Sequence, residues 1–269
     1  RDRRVPQLQG AGIGLELSRE GGIAILTVNR AEALNALNSS VLQDLHDTLQ
    51  RLKRDDEVRV VVLTGAGDRS FIAGADIKEM REKTVLEART YGELGQECAH
   101  ILETMRKPAL AAINGFALGG GLELALGCDI RIASAKAKLG QPEINLGIIP
   151  GWGGTQRLAR ATNIGFAKEL ILTGRMVDAE EALQRGLVNH VVPPEEVMPK
   201  TLELARDLAA KSPIAVAYAK ESTNRALHGD LGANFVNEVN LFSMLFSTAD
   251  AQEGLQAFIE KRDPKFLGR

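Results

Sequence analysis

The sequence predicts a layered α/β fold followed by a helical C-terminal region, on three observations. Strand and helix signals alternate through the first two-thirds of the chain, which favours layers over segregated halves. Residues 58–64 form a run rich in valine, the mark of a strand buried on both faces. After Val191-Val192-Pro193-Pro194 the strand signals stop, and everything beyond reads as helix. The expected division is an arm over 1–11, an alternating core over 12–193 and a helical region over 194–269.

Residues 1–11 contain Pro6, Gly10 and Ala11 and no apolar period, so a mobile arm is expected. Ile13, Leu15 and Leu17 then alternate with glycine or polar neighbours. Glu20-Gly21-Gly22 turns the chain into residues 23–28, and the two runs read as a β-hairpin. Ser40 and Gln43 fit a capping box, with Val41, Leu42, Leu45, Leu49 and Leu52 on one helical face. The valine-rich strand ends at Gly65-Ala66-Gly67-Asp68. Residues 77–105 are expected to form one long polar helix leading to Pro108. Residues 109–113 read as a short buried strand, Gly119-Gly120-Gly121 opens a helix through Cys128, and residues 130–133 resume strand character. In the tail, Ser212-Pro213 supplies an N-cap and a first-turn proline. Phe235, Val239, Phe242 and Phe246 recur at helical spacing, either as intramolecular core or as a subunit interface.

At 269 residues the chain is long enough to bury roughly 70–75% of its unfolded surface. Hydrophobic residues at 44% and charged ones at 25% argue against disordered and collagenous classes, and no apolar run is long enough for a membrane helix, so a soluble protein is expected. A net charge of -2 supplies no basic field for nucleic acid. Cys98 and Cys128 form no CxxC pair, and His46, His100, His190 and His228 lack HExxH or finger spacing. No metal site is expected, and a reducing compartment is inferred.

Two glycine-rich segments could carry chemistry. Gly119-Gly120-Gly121 lies between a strand and a helix, where first-turn N–H groups are unpaired and an oxyanion could bind at Gly120. Alternatively the glycines permit tight packing, and Glu123 merely complements the helix dipole. In residues 71–78 the Ala75 amide could supply a second oxyanion donor, or the segment could be a small-residue turn capped by Asp76. Glu143 follows Gly140-Gln141-Pro142 in apolar surroundings. If Glu123 and Glu143 converge, they could hold one water and divide acid and base roles. Spacing does not establish that convergence. GxxxxGK[ST] and GxSxG do not occur, and no GxGxxG stands in strand-helix context.

Taken in order, residues 72–80, 114–129, 140–144 and 149–158 resemble the crotonase superfamily, and within it most closely the short-chain enoyl-CoA hydratases. The resemblance extends over residues 22–266. It implies a spiral of ββα units with a C-terminal helical trimerisation region, assembled as a homohexamer, a dimer of trimers. It implies that the amides of Ala75 and Gly120 hold the thioester oxygen. By the same resemblance, Glu123 activates water for attack on the β-carbon and Glu143 delivers a proton to the α-carbon. Gln141 orients Glu143, and Gly151 and Trp152 line the acyl end. Trp152 stands where many relatives carry a small residue, and either shortens the pocket or fills a neighbouring space. Ala36, in Asn35-Ala36-Leu37, matches a turn that contacts CoA, while Ala73, Asp76, Ile77 and Lys78 match the loop that grips its adenine and pantetheine. Arg30-Ala31 departs from the usual Arg-Pro. Phe258 and Lys261 match tail residues that reach a neighbouring subunit's CoA.

The implied reaction is reversible hydration of a trans-2-enoyl-CoA to the 3-hydroxyacyl-CoA, of the β-oxidation type. No metal or redox cofactor is implied, because coenzyme A is part of the substrate. An isomerase or another crotonase-type lyase is the alternative, although many such relatives lack one of the paired glutamates. A crotonase-like branch that binds RNA is an alternative of another class, and this chain lacks the basic stripe for it. The expected location is the cytoplasm of a bacterium, or the mitochondrial matrix if a transit segment preceded Arg1.

Overall fold

The computed structural model describes residues 14–269. The expected arm, and Ile13 of the first strand, lie outside the described residues. The hairpin is β1 (Leu15–Glu20) and β2 (Ile23–Val28), followed by helix α1 (Ser39–Arg54). One unit then runs β3 (Val60–Gly65), β4 (Ser70–Ile72), α2 (Ile77–Met80) and α3 (Val85–Thr104). The next is β5 (Ala109–Ile113), β6 (Phe116–Leu118) and α4 (Gly120–Gly127). A third comprises β7 (Ile130–Ser134), β8 (Lys138–Gly140), α5 (Gly154–Ala161) and α6 (Ile164–Thr173). After β9 (Met176–Asp178), α7 (Ala179–Gln184) and β10 (His190–Val192) come four helices. These are α8 (Val197–Ala209), α9 (Pro213–Arg225), α10 (Leu231–Leu245) and α11 (Ala249–Glu260).

The repeated strand-strand-helix unit builds two sheets at once. The first strand of each unit joins a six-stranded sheet in the order β1-β2-β3-β5-β7-β10, parallel except for the β1-β2 hairpin. The second strand joins a smaller sheet, β4-β6-β8-β9, whose strands have three residues each. This is the ββα spiral with C-terminal helices that the resemblance implied. The valine-rich run is explained by burial on both faces. Val61 and Leu63 face the main core with α1, α3 and α4, while Val60 and Val62 face a second cluster closed by Val197 and Ala205 of α8.

Two local expectations require correction, and the core reading of the α10 stripe is set aside. Helix α1 is capped by Asn38, whose side chain accepts from Val41 N at 2.9 Å, rather than by Ser40 with Gln43. Asparagine caps as well as serine, and it lies where the backbone is still extended. The single helix expected over 77–105 is two, because Thr84 and Glu87 form a capping box that starts α3 afresh. The aromatic stripe on α10 is not core of this chain: Phe235, Val239, Phe242 and Phe246 are 50–61% exposed.

Candidate active site

The two sheets deliver their loops to one place. Leu37 forms a parallel bridge with Ala75: Leu37 N donates to Gly74 O and Asp76 N donates to Leu37 O, both at 2.9 Å. The flanking residues are thus spent on the Leu37 side, and the Ala75 N–H faces the opposite way. There α4 begins. Gly120 is its first residue, so its N–H has no acceptor within the helix. A Cβ built at Gly74 would lie 3.8 Å from Gly120 N, which places the Ala75 loop beside that amide. Both segments line a cavity of about 260 Å³, together with Ala73, Ile77, Glu123, Glu143, Gly151 and Trp152.

Glu123 sits one turn into α4, whose eight residues are all buried. Trp152 N and Gly154 N donate to its Oε1 at 2.8 and 2.6 Å, so Oε2 takes neither bond. Burial raises this carboxyl to about 7, against the pull of those two amides and of Arg157. Arg157 is itself held by Glu103 at 2.8 Å and donates to the Trp152 carbonyl at 3.1 Å. The turn that supplies the amides is therefore pinned from behind.

Glu143 lies in the one-turn 3₁₀ helix Pro142–Leu146, set by β8. It too is raised to about 7, first by burial and then by the charge of Glu123. The orientation of the buried Gln141 amide that satisfies both groups puts its nitrogen 2.9 and 3.1 Å from the two Glu143 oxygens. Gly119 has a positive φ of 51°, and a Cβ there would fall 2.8 Å from Glu143 Oε1. A side chain at that position would occupy the space of the carboxylate. Tight packing also contributes to the triplet, since a Cβ at Gly121 would meet Ile72 O at 1.9 Å.

The expected CoA-contacting residues fall in two groups. Arg30 joins Ala36 and Asp76, donating to Ala36 O at 2.6 Å and pairing with Asp76 at 3.1 Å. Asp76 also caps α2, where Ile77 and Lys78 are exposed; Ile77 lines the cavity, whereas Ala36, Asp76 and Lys78 are not among its lining residues. Phe258 and Lys261 lie apart from that group, exposed at the end of α11, and they too do not line this cavity. Sequence reasoning missed the contribution of α3. Lys83, just before it, and Ala88, Tyr91 and Gly92 within it form one wall. The Tyr91 hydroxyl donates to Leu37 O, its ring meets the Trp152 indole edge-on at 5.3 Å, and Lys83 Nζ lies 4.7 Å from the ring centre.

The family profile for enoyl-CoA hydratase/isomerase matches residues 18–269. The chain belongs to the enoyl-CoA hydratase/isomerase family. It is 48% identical to a short-chain-enoyl-CoA hydratase of Clostridium acetobutylicum, over 91% of this chain and 94% of the relative. It is 44% identical to a crotonyl-CoA hydratase of Syntrophomonas wolfei, over 94% and 97%. The crystal structure of an enoyl-CoA hydratase from Bacillus anthracis superposes with a TM-score of 0.92 at 40% identity, covering 95% of this chain and all of that one. The spiral is the fold shared with that structure.

Proposed function

We propose that the chain is a hydro-lyase that adds water reversibly to a trans-2-enoyl-CoA, giving the 3-hydroxyacyl-CoA. One observation carries the reading: a buried glutamate, Glu123, and a half-buried one, Glu143, from different elements line a single cavity together with the amide-bearing residues Ala75 and Gly120. With both carboxyls raised towards neutrality, chiefly by burial, a state with one carboxyl ionised as base and the other protonated as acid is accessible near neutral pH. The thioester oxygen accepts from the Ala75 and Gly120 amides. Glu123 removes a proton from water as its oxygen bonds to the β-carbon, and the electron pair of the double bond moves to the thioester as an enolate. Glu143 then gives its proton to the α-carbon. Donors aimed at the enolate are the largest lever here, since removing one costs about 3–4 kcal/mol of transition-state stabilisation in comparable sites.

CoA binds along the Ala36, Asp76, Ile77 and Lys78 rim. The exposed stripe on α10 and the exposed Phe258 and Lys261 support assembly as a homohexamer in which the tail reaches a neighbour's CoA. The decisive experiment follows loss of the conjugated enoyl-thioester absorbance with crotonyl-CoA. Glu123→Gln and Glu143→Gln should each lower kcat by roughly 10²–10⁴-fold. Wild-type rates in both variants would overturn the assignment.

A further inference from the structure

We infer that the Trp152 indole is a fixed end-wall of the acyl cavity that restricts the protein to short acyl chains; this rests on the hydratase reading above. The indole is 4% exposed and lines the cavity, so it is at once wall and core. Its six-membered ring lies against Gly120 of α4, where a Cβ would stand 2.3 Å from Cζ3. Its five-membered ring lies against Gly95 of α3, where a Cβ would stand 2.3 Å from Cγ. Only glycine on both helices leaves a slot for this ring. Without the ring, the space between α3 and α4 would open directly from the Gly120 amide. What remains in front of it, about 260 Å³, falls below the roughly 300–1,000 Å³ usual for small-molecule pockets.

The wall is not free to swing aside. Tyr91 braces the indole edge-on and is itself tied to Leu37 O. Gln96 Nε2 donates to Gly151 O at 3.0 Å and Arg157 donates to Trp152 O, fixing the turn on both sides. An acyl chain whose thioester oxygen lies at Ala75 and Gly120 therefore meets indole rather than a tunnel. The Glu123 contact from this residue is made by its main-chain N–H, which substitution of the side chain retains.

The test combines binding and turnover across chain length. Titration calorimetry with butyryl-CoA and decanoyl-CoA, neither of which can be hydrated, reads the wall without chemistry. Crotonyl-CoA and trans-2-decenoyl-CoA read it through kcat/KM. Wild type should favour the short ligand and substrate by at least about tenfold, since misfit of one methylene in a tight pocket already reaches roughly 10–200-fold. Trp152→Ala should shrink both preferences at least about tenfold, with Trp152→Phe between. Equal wild-type affinity and turnover for the two lengths overturns the wall even if Trp152→Ala does not fold, as does a preference unmoved in both variants. Tight butyryl-CoA binding with a chain-length preference but no hydration refutes the reaction and leaves the wall standing. Hydration without a length preference does the reverse.

Discussion

The ammonium of Lys220 on α9 lies 2.8 Å from the carboxylate of Asp129, which precedes β7. Lys220 also donates to the carbonyls of Leu102 and Lys107 at 2.7 and 3.0 Å, and Asp129 accepts from Ala109 N at 2.7 Å. The pair joins the C-terminal helices to the spiral. Lys220→Met leaves a carboxylate in a largely buried site, and should cost about 3–5 kcal/mol in urea unfolding. Adding Asp129→Asn should restore much of that loss. A single-variant cost under about 1 kcal/mol would show that the joint carries no weight.

Glu123 and Glu143 make the protein less stable as pH rises. Each carboxyl is raised in the fold to about 7, above its ordinary value of 4.5, so the native state holds protons that the unfolded chain has released. Stability therefore falls from about pH 4.5 to about pH 7 and is flat beyond. Glu123→Gln removes part of this slope, and at pH 8 should be more stable than the parent by on the order of 1–3 kcal/mol. Its amide oxygen still accepts from Trp152 and Gly154. Unfolding curves at pH 5 and pH 8 check the sign, and a gain confined to pH 5 would contradict it.

The same pair sets the rate profile. On the proposed mechanism turnover needs one protonated and one ionised carboxyl, so kcat/KM should be bell-shaped, with its maximum near neutral pH. In Glu123→Gln the charge that raises Glu143 is gone, and carbon-13 NMR of the remaining side chain should report a lower titration midpoint than in the parent. An unchanged midpoint would mean that the two groups do not sense one another.

Gly120 and Trp152 should show strong energetic coupling. Gly120→Ala drives a methyl group into the indole and should cost about 1–3 kcal/mol. In a Trp152→Ala background the space is open, and the same substitution should cost far less. The double-mutant cycle by urea titration should give a coupling of at least about 1 kcal/mol, whereas additive effects would refute the contact.

Asn35 is fully buried in the left-handed region with φ of 59°. Its amide donates to Ala66 O and Ser70 O, and its oxygen accepts from Arg30 N. Asn35→Ala combines lost bonds with backbone strain and should cost about 2–4 kcal/mol. Because Ala36, on the proposed CoA rim, follows directly, KM for the CoA substrate should rise while kcat changes little. Asn35→Gly separates the two causes by relieving the strain alone.

What the residues disclosed in advance depended on the range of the forces involved. The Val60–Gly65 strand was legible because burial on both faces leaves an apolar run, and the hairpin because Gly21-Gly22 turns it. The second sheet was not, since three-residue strands are too short to establish a period. The break before α3 does leave a local signal in Thr84-x-x-Glu87, set within a stretch of continuous polar character. Glu123, Glu143, Ala75 and Gly120 were nominated from chain-local chemistry, whereas their convergence is a property of the spiral. The α3 wall was hidden, yet Gly92 and Gly95 inside a twenty-residue helix, where each glycine costs about 1 kcal/mol, hinted at close packing against that face.

Trp152 is the only tryptophan in the chain. Near-ultraviolet light absorbed beyond the tyrosine band is consequently re-emitted from one point, at the back of the cavity and beside Tyr91. If an acyl group binds there as proposed, its arrival changes the polarity around that emitter, and the unlabelled protein carries its own fluorescent gauge of occupancy.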